Sequence, residues 1–157
     1  MAQVQLSLDH DFAAAPQVVW DALVDWKGHE QWIPATRVEL HGPGDPTAVG
    51  AEFTAWSGIG RRLALEDRMR VDQLEFDPST SSGTCRVTKL GPLLGGWAEF
   101  IVAPAAGGTV VTWIEDVTIP YLPQFLAPVG KVIGVFGFKF GLSRLAHMLR
   151  DVRAVAV

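Results

Sequence analysis

The chain is short of several things that chemistry usually draws on. It has one cysteine, Cys85, in 157 residues, so no internal disulfide can form and a reducing compartment is expected. Its four histidines, His10, His29, His41 and His147, are scattered, and none has a Cys or Asp partner at ligand spacing, so no metal site is predicted. Lys and Arg number 13 against 17 Asp and Glu, which leaves no basic patch for phosphates and argues against a nucleic-acid partner. Gly91 to Gly96 lacks the helix and lysine that a phosphate loop needs, and Ser57-Gly58 is no nucleophile elbow. No cofactor is therefore expected. Met1 to Ser7 shows no basic region followed by an apolar core, so no signal peptide is predicted and the expected location is the cytoplasm.

What the chain does have is apolar bulk. Hydrophobic residues make up 48% of it, with six Trp and eight Phe, enough for one domain over residues 1–157 with a substantial core.

The most informative stretch is Phe125 to Arg153. Pro128 suits a first helical turn. Val129, Val132, Ile133, Phe136, Phe140, Leu145, Leu149 and Val152 then recur at three- and four-residue steps, which predicts an amphipathic helix buried through that side. Lys139, Ser143, His147 and Asp151 mark the expected wet side. Gly130, Gly134, Gly137 and Gly141 fall on one stripe, and each costs roughly 0.8–1 kcal/mol against alanine. Such a stripe provides either close packing or room for a ligand. A transmembrane segment is not expected, because the run is nearer fifteen residues than the ~20 needed to span, and Lys131 and Lys139 interrupt it.

Upstream, alternating Val4, Leu6 and Leu8 predict a strand. Pro16 opens a helix through Asp25 with Val19, Leu23 and Trp26 on one face, and Ala15 provides no side-chain cap. His29 to Ile33 is a second short turn stopped by Pro34. Strands are expected at 37–41, 51–57, 62–76, 84–90, 97–103 and 109–119, separated by turn residues. An antiparallel sheet of that extent needs one face covered, and only the closing helix is long enough to cover it. The predicted class is α+β, with the sheet curled around the helix.

With that order on the page, the run Ala15-Pro16-Gln17-Val18-Val19-Trp20-Asp21-Ala22-Leu23, followed by Trp32-Ile33-Pro34, resembles the opening of the START-like (SRPBCC) superfamily. Its polyketide cyclase/dehydrase and lipid-transport branch is the nearest fit. Val49-Gly50, Gly108 to Trp113 and the closing helix after Pro120 and Pro128 match as well. The resemblance implies a helix-grip fold of about seven strands, with an apolar cavity between sheet and C-terminal helix. It implies lipid, polyketide or isoprenoid-like ligands, or cyclase/dehydratase chemistry, or a toxin-like regulatory role through a partner surface.

Site candidates come from the strands. Leu63, Leu65, Asp67, Met69 and Val71 share one face, expected to be buried, and Val111, Trp113, Glu115, Val117 and Ile119 share another. Each holds one acid. A lone carboxylate on an apolar face must be paired, hydrogen-bonded or raised in pKa, so Asp67 and Glu115 are candidates for a structural pair, a polar anchor or a general acid/base. Phe53, Phe100, Trp113, Phe136 and Phe140 are candidates either for the cavity wall or for plain core, and Tyr121, between Pro120 and Pro123, either meets a ligand at the cavity mouth or ties down the loop. The expected partner is a small hydrophobic molecule, and the chain is expected to be a monomer or homodimer. Its apolar end, Val152 to Val157, is free either to pack on a neighbour or to fray.

Overall fold

The computed structural model describes residues 1–60 and 62–155. Strand β1 (Ala2–Phe12) leads into helix α1 (Pro16–Val24) and a short α2 (His29–Trp32). Six further strands follow: β2 (Thr36–His41), β3 (Glu52–Ile59), β4 (Leu63–Asp77), β5 (Ser82–Leu90), β6 (Gly95–Ala105) and β7 (Gly108–Ile119). One 3₁₀ turn, Gln124–Leu126, precedes α3 (Ala127–Val155). The seven strands form one antiparallel sheet in the order β1-β7-β6-β5-β4-β3-β2. This is the expected helix-grip architecture.

Period-two patterning sets which face of each strand goes inward. β1 buries Val4, Leu6, Leu8 and Phe12, β5 buries Cys85 and Val87, and β7 buries Val111, Trp113, Glu115 and Val117. β4 changes phase at a bulge between Val71 and Gln73, which brings Leu74 and Phe76 against the core. α1 buries Val19, Trp20 and Leu23, and Ala15 makes no side-chain cap.

Two expectations of burial need correction. Leu63 and Leu65 are exposed, because β4 runs past the core at the β3–β4 hairpin before turning inward at Asp67. The larger correction is the rotation of α3. Val129, Val132, Ile133, Phe136 and Phe140 face outward, while Leu142, Leu145 and Ala146 are buried. The glycine stripe is what meets the sheet. A Cβ on Gly130 would sit 3.5 Å from Val4 Cγ2, one on Gly134 would sit 2.9 Å from Leu6 Cδ2, and one on Gly141 would sit 3.3 Å from Trp32 Cε3. Close approach to β1 and α2 is therefore the use of three of the four glycines, and Gly137 alone has open space around it. The expected apolar face loses because a stripe without side chains lets the helix axis come nearer β1, recovering dispersion contacts along its length. Lys139, Ser143 and His147 are exposed as expected. The side chains from Asp151 onward, Val152 and the tail included, lie outside the described residues.

Candidate functional site

Between sheet and α3 lies a cavity of about 120 Å³. Its walls are mostly aromatic. Trp26 stacks on Phe53 at 4.5 Å between ring centroids, Phe100 stacks on Trp113 at 5.5 Å, and Trp113 stacks on Phe138 at 4.9 Å. Met69, Cys85, Val87 and Ala98 fill in between, and the lining reaches the exposed Ser57 beside Thr36.

Three charged side chains project into this apolar chamber: Asp67 from β4, Lys89 from β5 and Glu115 from β7. Lys89 Nζ donates to Asp67 Oδ2 at 2.5 Å, and both are largely buried. Glu115 Oε1 accepts from Trp113 Nε1 at 3.1 Å. Asp67 Oδ1 is buried and has no hydrogen-bond partner among the described residues. The intervening strand β6 lets Lys89 lie between the two acids, because its inward residues there are small. Ala98 pairs with Val87 and Glu115, and Gly96 pairs with Lys89. Gly96 has φ +96° and a Cβ there would lie 2.0 Å from the Asp116 carbonyl oxygen, so no other residue fits without moving the backbone.

One ammonium facing two carboxyls cannot neutralise both. Burial drives the Glu115 pKa up, and the Lys89 charge and the Trp113 N–H offset only part of that rise. Burial works to lower the Lys89 pKa, but Glu115 and Asp67 outweigh it, and the ammonium is held above its ordinary value. Lys89 is thus a fixed cation rather than an amine free for imine chemistry. Glu115 is the group biased to carry a proton.

Two other cavity groups are held inert. His29 Nε2 hydrogen-bonds the Leu23 carbonyl at 2.7 Å, and burial lowers its pKa to about 4. The Cys85 thiol is pushed up to about 12, chiefly by burial, so it is no nucleophile at neutral pH. No group of three metal-ligating side chains occurs among the described residues.

The sequence candidates divide into two groups. Asp67, Glu115, Phe53, Phe100 and Trp113 all line the chamber. Phe136 (70% exposed), Phe140 (57%) and Tyr121 (79%) do not. The two phenylalanines are on the outward side of the rotated helix, and Tyr121 stands out on the loop between β7 and α3, so none walls the cavity or its mouth. Phe138 takes the place expected of Phe136 and Phe140. Its signal was present in the steps Val135, Phe138, Leu142, Leu145, a second apolar series on the same helix. Lys89 was missed too, although it continues the alternation Cys85, Val87. A lysine at the end of a strand reads as exposed unless an acid is known to face it.

Residues 1–150 match the family model described as polyketide cyclase/dehydrase and lipid transport. Among solved structures, protein SA2116 from Staphylococcus aureus, itself of unknown function, superposes with TM-score 0.70 at 12% identity. That alignment covers 97% of this chain and 96% of the other. A Thermobifida fusca protein solved by NMR has TM-score 0.64 at 25% identity, covering 95% and 93%. The protein Ara h 8.0201 has TM-score 0.64 at 15% identity, covering 96% and 99%. No curated protein matches the chain in sequence.

Proposed function

The chain belongs to the polyketide cyclase/dehydrase and lipid-transport family of START-like proteins, and from that premise we propose that it binds a small, neutral, largely apolar molecule between sheet and α3. The observation that carries this reading is the unpartnered Asp67 Oδ1 beside Lys89 and Glu115 in an aromatic chamber. Buried acceptors demand donors, so a ligand hydroxyl fits Asp67, and a ligand carbonyl fits the Glu115 carboxyl or a remaining Lys89 N–H. A void of about 120 Å³ takes roughly one six-membered ring, so a longer ligand has to extend past Ser57 and Thr36. A carboxylate is a poor fit. Lys89 is already paired with Asp67, and a further anion in this dielectric has no cation left to meet it.

Calorimetric titration with 4-ethylphenol and with 4-ethylbenzoate tests the reading. The phenol should bind about tenfold or more tightly than the benzoate, and Asp67→Asn should weaken the phenol alone. Equal affinities, or a preference for the benzoate, would overturn it. Native mass spectrometry of freshly purified protein reports any resident ligand directly.

A second reading is acid/base catalysis of cyclisation or dehydration, favoured by the raised Glu115 pKa next to a fixed cation. Glu115→Gln separates the two. A carrier keeps its affinity, whereas an enzyme keeps binding and loses turnover.

A further inference from the structure

We propose that the outward face of α3 docks on an anionic lipid surface. Phe125, Val129, Val132, Ile133, Phe136 and Phe140 are each more than half exposed. From Val129 onward their steps of three and four place them along one side of the helix, opposite Phe138, Leu142 and Leu145, which face the core. A contiguous apolar strip of that kind marks an interaction surface. Longer than the run of about fifteen residues expected from the sequence, the stretch Gln124–Arg150 is apolar enough to cross a membrane by length and composition alone, and only 17% of that window is buried.

Charge selects the occupant. The whole chain carries net −4, yet no Asp or Glu occurs between Asp116 and Asp151, where Lys131, Lys139, Arg144 and Arg150 all lie. An apolar strip on a helical stretch, residues 127–150, whose charges are all basic complements anionic headgroups. The same arrangement opposes a second copy, since a two-fold pairing of α3 faces brings like charges together. Strand pairing adds a further apolar contact at the same end of the sheet. The starts of β4 and β6 and the ends of β5 and β7 lie together, so the exposed Ile59 and Leu63 of the β3–β4 hairpin lie at the end from which α3 departs. Asp67 and Lys89 are also near that end, so docking there would hold the ligand chamber against the bilayer.

Vesicle co-sedimentation of the full chain tests this. Phosphatidylcholine vesicles are compared with vesicles containing phosphatidylglycerol, and circular dichroism verifies folding. The expected result is binding to the anionic vesicles only, reversed by high salt. Phe136→Glu with Ile133→Glu should abolish it, and both sites are exposed, so the fold should survive. Lys139→Gln with Arg150→Gln should weaken it about tenfold. Absence of binding to anionic vesicles overturns the proposal. So does binding indifferent to the Glu pair, or a dimer in light scattering that the Glu pair dissociates while vesicles remain unbound.

Discussion

Replacing Lys89 by Met is the sharpest test of the buried charge cluster. Methionine occupies a similar volume without charge, so packing is nearly conserved and the electrostatic change dominates. Asp67 then loses its 2.5 Å partner while its other oxygen is already unsatisfied. The loss is that of a broken buried pair, about 3–5 kcal/mol at pH 7. Urea unfolding followed by tryptophan fluorescence at pH 7 measures it, with unchanged m-values verifying the two-state comparison. The double variant Asp67→Asn with Lys89→Met should recover part of that loss, because the Asp67 charge is then gone and Glu115 alone is left without its cation. A loss below about 1 kcal/mol would refute the reasoning.

Other consequences follow from the same structure. Glu115 holds its proton more tightly folded than unfolded, so stability should fall as pH rises above about 4.5, by up to about 1.4 kcal/mol per unit within the window. Glu115→Gln should remove that slope in urea titrations at stepped pH. His29 runs the other way. Its folded pKa of about 4 lies below the ordinary 6.5, so the unfolded chain binds the proton first and acidification from pH 6.5 to 4 should cost about 3 kcal/mol. His29→Gln should flatten that acid limb. A Cβ added at Gly137 would meet nothing within 4 Å, so Gly137→Ala should gain about 0.8–1 kcal/mol of helix propensity, a rise of roughly 2–4 °C in Tm by calorimetry.

Much of the site was legible strand by strand. An acid at position 67 between Leu65 and Met69, and another at 115 between Trp113 and Val117, stand out against period-two patterning. What period two cannot show is which side chains meet. Lys89 lies 22 residues from Asp67 and faces it only because β4 and β5 pair as they do. It approaches Glu115 only because Gly96 and Ala98 on the intervening strand leave the space clear. Leu63 and Leu65 fit the inward pattern as well as Met69 does, and nothing local records that the strand overruns the core.

Residue pattern was enough for the order of elements, the antiparallel sheet closed by one long helix, and the inward face of nearly every strand. A strand has only two faces, so one misplaced charge or aromatic identifies which is buried. The rotation of α3 is different, because it was settled by packing. A helix apolar almost all round has no unique buried side, and hydropathy favoured the stripe through Phe136 and Phe140. Glycine adds no hydrophobic signal, yet it permits the closest approach of two backbones. Against Val4, Leu6 and Trp32 that contact outweighed the burial of two phenylalanines, which left Phe138 to face the cavity and Phe136 to face the solvent.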